Sequence, residues 1–154
     1  YIQRGVHWLK FRGVTALAPV LASLLAEEVP MIGPLAFLQA QAVIVPIPLH
    51  PRRRRIRGFN QSFAIGQTLA EQTGIPLMDI LTRERATLSQ AELPHDMREE
   101  NMAEAFTLKE PLPKRRYFLL LDDVTTTGST LSSAAATLKA AGAKDVWGIT
   151  VARG

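Results

Sequence analysis

Tyr117–Thr130 reads YFLLLDDVTTTGST. An apolar run, Tyr117–Leu121, ends in two adjacent carboxylates, Asp122 and Asp123. A turn of hydroxyl residues around Gly128 follows, and then an alanine-rich segment with helical propensity. A short apolar run bounded by charge reads as a buried central strand. Its acids then fall at the carboxyl end of that strand, which is where open α/β sheets bind their ligands. Thr125–Thr130 supplies small hydroxyls, a flexible glycine and backbone N–H groups at the start of a helix, the composition of an anion cradle.

Competing readings of the same stretch are weaker. An FLLLDD strand also occurs in P-loop nucleotidases, but no G-x-x-x-x-G-K-[ST] is found anywhere in the chain. Nor is there a G-x-G-x-x-G, the usual dinucleotide fingerprint. A purely structural strand–turn–helix is the remaining alternative. Against it stands the electrostatic cost of two neighbouring acids beside buried strand residues.

Working outward, the spacing of Leu17, Val20, Leu21, Leu24 and Leu25 predicts an amphipathic helix starting near Ala18, with Pro19 in its first turn. Pro30, Gly33 and Pro34 are expected to break it. Ala42–Ile47 reads as the first core strand, closed by Pro46 and Pro48. Asn60 is a candidate N-cap for a helix running to Gly74, and Leu77–Leu81 reads as a second strand. Thr82–Glu104 is mostly polar without a strong period, with Pro94 placed to open a short helix through Glu104. A structureless loop of that length is uncommon unless it has a function. Ala105–Leu108 reads as a brief strand, Thr130–Ala141 as a helix ended by Gly142, and Asp145–Ala152 as the last strand. Strands alternating with helices imply parallel pairing.

With 154 residues and 47% hydrophobic content, the chain has the size of one domain with a substantial core. It contains no cysteine, which excludes disulfides and thiolate metal sites and fits a reducing compartment. The apolar stretch Val14–Ala26 falls short of the ~20 residues that span a bilayer, and no signal peptide is evident. The expectation is therefore a cytoplasmic protein without a membrane span. The chain opens at Tyr1, so an upstream segment is expected to have been removed. Net charge is +4, but it is concentrated: five arginines lie in Arg52–Arg57, and no acid occurs between Met31 and Ala70. Such a patch favours an anionic partner.

Residues Phe118–Thr130 resemble the phosphoribosyl-pyrophosphate (PRPP) signature of type I phosphoribosyltransferases: four apolar residues, two acids, an apolar residue, any residue, then Thr-Thr-Gly-x-Thr. The match is gapless. Further pieces resemble one branch of that superfamily, the ComF (competence protein F) family. Tyr1, Leu9, Lys10, Phe11 and Gly13 match its N-terminal segment. Val45–His50 followed by Arg54 and Arg57-Gly58-Phe59-Asn60-Gln61 match its VP.PL…R..RGFNQ motif. Arg83, Thr87, Gln90, Leu93, Arg98, Asn101 and Phe106 match its spacing between those two landmarks. Many ComF proteins begin with a four-cysteine zinc module, which has no counterpart here, so no zinc is expected.

The resemblance implies an α/β fold of the type I phosphoribosyltransferase (Rossmann-like) kind, a mostly parallel sheet flanked by helices. It implies an N-terminal helical or hood segment over residues 1–41 and a PRPP-binding core over 42–154. It assigns Asp122 and Asp123 to the ribose hydroxyls, and through Mg²⁺-PRPP indirectly to the metal. Thr125, Thr126, Thr127, Gly128, Ser129 and Thr130 are assigned to the 5′-phosphate. His50, Arg54 and Arg57 follow the first strand, where this superfamily places its pyrophosphate loop. They are candidates for pyrophosphate, for nucleic-acid backbone, or for both, because guanidinium forks suit phosphate oxygens. A solvated basic loop is the plainer alternative. Arg83 and Arg98 are candidates for stabilising the leaving group, beside Thr87 and Gln90 in a mobile catalytic loop. Phe59 and Phe63 offer a stacking platform for bases, although phenylalanines at i and i+4 on a capped helix more often enter the core. His7 and His95 read as ordinary surface or packed histidines.

Two functions follow as expectations. One is a PRPP-binding protein that handles single-stranded DNA during natural transformation, together with a helicase-like partner. The other is an active phosphoribosyltransferase with an unidentified acceptor such as a nucleobase. The chain stops three residues after Val151, so no C-terminal hood is expected, and nothing in Tyr1–Gln41 reads as a nucleobase pocket.

Overall fold

The computed structural model describes residues 17–49, 51–83 and 106–153. The expected helix after Pro94 lies outside them.

Helix α1 (Ala18–Ile32) starts without a side-chain cap but with a proline in its first turn, where the missing N–H costs nothing. Its buried stripe is Ala18, Leu21, Ala22, Leu25 and Val29, while Val20 and Leu24 are exposed. The inward face is therefore rotated from the one the leucine spacing suggests, because the small Ala18 and Ala22 let the helix approach its neighbours. Pro30 does not break α1. It sits in the last turn, and the chain leaves the helix only at Gly33. Helix α2 (Leu35–Gln41) turns 97° away and buries Leu38. Neither helix is long and apolar enough to cross a membrane alone.

Strand β1 (Ala42–Pro46) is buried along its whole length. It pairs in parallel with β4 (Tyr117–Thr125), and β4 pairs in parallel with β5 (Asp145–Arg153), giving the order β1-β4-β5. The register sets Ala42 beside Tyr117 and Pro46 beside Leu121. Between β1 and β4 lie α3 (Pro51–Arg57), α4 (Gln61–Thr73) and two short strands, β2 (Leu81–Arg83) and β3 (Phe106–Leu108). Helix α5 (Ser129–Ala140) connects β4 to β5. This is the predicted α/β architecture, with helices on both faces of a parallel sheet.

Strand alternation divides the core in two. On one face Ile44, Leu119 and Leu121 pack with α1 and with Ile65 and Leu69 of α4. On the other, Val43, Val45, Phe118 and Leu120 pack with Ala134 and Leu138 of α5 and with Phe106. Strands β1 and β4 thus lie under helices on each side, which is why they read as continuous apolar runs.

Asn60 caps α4 as expected, its Oδ1 accepting the Ser62 N–H at 3.1 Å. Gly74 closes the helix at φ 71°, and its N–H donates to the Ala70 carbonyl. The expected strand over Leu77–Leu81 is not one element. Leu77 makes a single parallel bridge to Ile44, with the Met78 N–H donating to the Ile44 carbonyl at 2.9 Å. Pairing resumes at Leu81, but in a separate antiparallel ladder with β3. The segment between crosses from one sheet to the other, held by the Lys109 N–H on the Ile80 carbonyl and by a Lys109–Asp79 ion pair at 2.7 Å.

Candidate functional site

Strand β4 delivers the two acids to the carboxyl edge of the parallel sheet. It runs four residues past the apolar run that ends at Leu121, because Asp122, Val124 and Thr125 stay in register with Thr150, Ala152 and Arg153 of β5. Asp123 is buried at 7% exposure and Asp122 is half-buried. Each folds one carboxylate oxygen onto the next backbone amide. The Asp123 N–H donates to Asp122 Oδ1 at 2.9 Å, and the Val124 N–H donates to Asp123 Oδ1 at 2.8 Å. These two backbone contacts help to orient the pair.

The turn that follows exposes Thr126 and Thr127 and half-buries Gly128, Ser129 and Thr130. Gly128 sits at φ 78°, a left-handed conformation that costs glycine nothing, and it forms the N-cap of α5. Thr127 Oγ1 donates to Ser129 Oγ at 2.9 Å and accepts the Ser129 N–H at 3.4 Å. Gly128 itself brings no side-chain cap and the first turn of α5 holds no acid, so an anion at this end meets the positive pole of the helix without a competing carboxylate from that turn. The first turns of α3 and α4 also lack acids. Helix α3 follows β1, and α4 begins after α3 at the same edge, its N-cap Asn60 donating to the Ile47 carbonyl at 3.0 Å.

Among the described residues, no group of three or more His, Asp or Glu could hold a metal by itself. Two neighbouring carboxylates and a set of hydroxyls are hard oxygen donors, however. They suit an Mg²⁺ that keeps its waters and arrives with substrate phosphates, not one held in an all-protein cage.

The predicted arginines fall elsewhere. Arg54 on α3 is exposed, and Arg83 ends β2 with its guanidinium 5.5 Å from the centre of the Phe106 ring. Both line a cavity of about 520 Å³ that includes Phe59, Phe63 and Lys109 but none of the residues from Asp122 to Thr130. Arg57 lies in α3, its side chain outside the described residues, as are His50, Thr87, Gln90 and Arg98. The structure thus assembles the acids and the hydroxyl turn in one place, and Arg54 with Arg83 in another. Phe59 touches the core while also lining the cavity, whereas Phe63 belongs to neither core cluster.

Three participants were not singled out as functional from the sequence. Lys109 and Asp79 join the cavity wall through their ion pair. Gln61 is 1% exposed, and neither atom of its amide finds a hydrogen-bond partner among the described residues. Its only sequence signal is membership of the RGFNQ motif, since a glutamine in a first helical turn ordinarily faces water.

The Phosphoribosyl transferase domain family matches residues 60–154, which includes β4, the hydroxyl turn and α5. The "DNA utilization protein YhgH" of Salmonella typhimurium is 41% identical over 108 residues, covering 70% of this chain and 48% of that protein. The "Competence protein F" of Haemophilus influenzae is 37% identical over 118 residues, covering 73% of this chain and 51% of that protein. The chain spans about half the length of these curated relatives. A hypoxanthine phosphoribosyltransferase from Staphylococcus aureus superposes with a TM-score of 0.48 at 14% identity, over 88% of this chain and 62% of that one. The chain belongs to the phosphoribosyl transferase domain family, as a ComF-type member.

Proposed function

We propose that the chain binds PRPP, with Mg²⁺, in the Asp122–Thr130 cradle, and that it binds single-stranded DNA along its arginine-bearing edge. It acts in the cytoplasm in DNA uptake during natural transformation, beside a helicase-like partner. One observation carries the phosphosugar half: two carboxylates in contact with their own backbone stand directly before a glycine turn that opens a helix with no acid in its first turn. Carboxylates accept from vicinal ribose hydroxyls, and the helix end suits a phosphate monoester. Mg²⁺ bound with PRPP supplies charge neutralisation at the pyrophosphate. The relatives' names support the DNA half, as does the run Arg52–Arg57 beside the same sheet edge.

The test of the cradle is PRPP affinity by calorimetry in Asp123→Asn. Loss of an ionic acceptor is expected to weaken binding by roughly 10- to 100-fold. Unchanged affinity would remove Asp123 from the site. For the DNA half, anisotropy of a labelled single strand is read across a salt series. If all five arginines meet phosphates, the log–log slope is roughly −3.5, or about 100-fold weaker binding between 50 and 200 mM salt. A slope near zero would return the arginines to the role of solvated surface.

A second reading is favoured by Arg83, which stands at the end of β2 where the family resemblance sets the catalytic loop. In it the chain is an active phosphoribosyltransferase. The C1–O bond to pyrophosphate breaks, a bond from an acceptor nitrogen to C1 forms, and the acceptor's proton is released. Arg83 and Arg98 would then stabilise the departing pyrophosphate. Pyrophosphate release from PRPP stimulated by one nucleobase in a panel would establish this reading, and release by none would exclude nucleobases as acceptors.

A further inference from the structure

We propose that Gln61, at the start of α4, reads the sugar in the Asp122–Thr130 cradle: its side-chain amide hydrogen-bonds the ribose hydroxyls of a phosphosugar and makes the site prefer ribose to 2-deoxyribose. This rests on the phosphosugar reading of the cradle and adds a contact which that reading does not contain.

Helix α4 runs against the strands of the parallel sheet. Its last residue lies beside the segment that leads into β1, where Gln39 Nε2 donates to the Thr73 carbonyl at 2.8 Å. Its first lies past the end of β1, where Asn60 Nδ2 donates to the Ile47 carbonyl. Gly66 fixes the height between these ends, since a methyl in its place would meet Leu121 Cδ2 at 3.3 Å. Gln61 stands five residues earlier on the helix, about 7.5 Å nearer the carboxyl edge. Asp123 stands two residues beyond Leu121 on the strand, about 6.6 Å along the same direction. The amide and the second acid are therefore at one level of the edge, and both are buried, Gln61 at 1% and Asp123 at 7% exposure.

Gln61 Nε2 and Oε1 are shielded from water, and neither has a hydrogen-bond partner among the described residues. Leaving a buried donor and a buried acceptor both unmade costs stability that an apolar side chain there would not. It also means that the amide breaks no hydrogen bond on turning to a ligand. The two atoms define what that ligand offers. A phosphate oxygen only accepts, so it would leave Oε1 unanswered, and a cation would leave Nε2 unanswered. A sugar diol both donates and accepts, and so satisfies the two together. Ionised carboxylates accept from sugar hydroxyls but cannot donate to them, and Nε2 supplies a donor beside Asp123.

Titration calorimetry with ribose 5-phosphate and with 2-deoxyribose 5-phosphate, which differ by a single hydroxyl, isolates the contact. The parent is expected to favour ribose 5-phosphate, and Gln61→Leu to shrink that preference by about tenfold. The readout is a ratio of two affinities on one protein, so a general change of packing does not move it. Gln61→Met, unbranched like glutamine, carries the same expectation and serves if Gln61→Leu fails to fold by circular dichroism. Asp123→Asn reports on the cradle itself. If ribose 5-phosphate binds, weakens in Asp123→Asn and keeps its parental preference in both Gln61 variants, the role of Gln61 is overturned and the cradle stands. Equal weakening of both sugars in the Gln61 variants would also overturn it, leaving Gln61 a packing residue. Absence of ribose 5-phosphate binding to the parent, or binding indifferent to Asp123→Asn, would overturn the cradle and the role of Gln61 with it.

Discussion

Asn60 ties helix α4 to the strand that leads into the ligand edge, and its removal can be valued from the structure. Its Oδ1 accepts the Ser62 N–H at 3.1 Å, and its Nδ2 donates to the Ile47 carbonyl at 3.0 Å. Ile47 is 4% exposed, so water cannot easily take over that carbonyl. Its own N–H is committed to the Leu121 carbonyl at 2.8 Å, directly before the two acids. In Asn60→Ala the lost cap costs about 1 kcal/mol. The stranded carbonyl costs about 1–2 kcal/mol more. The total, about 2–3 kcal/mol, corresponds to a fall in Tm of roughly 5–10 °C for a domain of this length. Asn60→Ser keeps a capping oxygen but cannot reach Ile47, so it is expected to lose only the second part. Thermal and urea unfolding of the three proteins separate the contributions. The reasoning is refuted if Asn60→Ala lies within about 0.5 kcal/mol of the parent, the range of an ordinary surface change. Equal losses in the Ala and Ser variants would refute the capping part alone.

Two further outcomes are expected. Gly128→Ala forces a left-handed φ on a residue with a Cβ, although nothing lies within 4 Å of that atom. The cost is backbone strain of roughly 1–2 kcal/mol, and Gly128→Asn should lose less because asparagine tolerates this region. Unfolding midpoints that do not rank Gly above Asn above Ala would contradict this. Gln61→Leu removes two buried amide atoms without partners among the described residues and is expected to raise stability by about 1 kcal/mol. A fall in the urea midpoint would show instead that the amide is engaged.

Legibility in the sequence followed how local the determinants were. The β4–turn–α5 unit was readable because its apolar run, acids, glycine and helix former are consecutive. Helix α4 was readable because Asn60 and Gly74 mark its ends through their own conformational preferences. The α1 stripe was misplaced because leucine spacing outweighed Ala18 and Ala22, whose small size is what buries them. Leu77–Leu81 looked like one strand because apolar character does not say which sheet a residue joins. The switch there depends on Lys109, far along the chain. The cavity was invisible for the same reason. Its wall joins α3, α4, β2 and Lys109, and no window of sequence contains them together.

The edge that carries Asp122 and Asp123 is made by strands that are neighbours in space and strangers along the polypeptide. Val45 and Pro46 meet Leu120 and Leu121 only after α3, α4 and the β2–β3 ladder have intervened. Closing so long an excursion is slow, because its entropic toll falls due before any contact rewards it. During synthesis, then, the acids leave the ribosome into a half-built sheet. A phosphorylated sugar that favours the completed edge would act as a late clamp on maturation, pulling the last step of assembly toward completion.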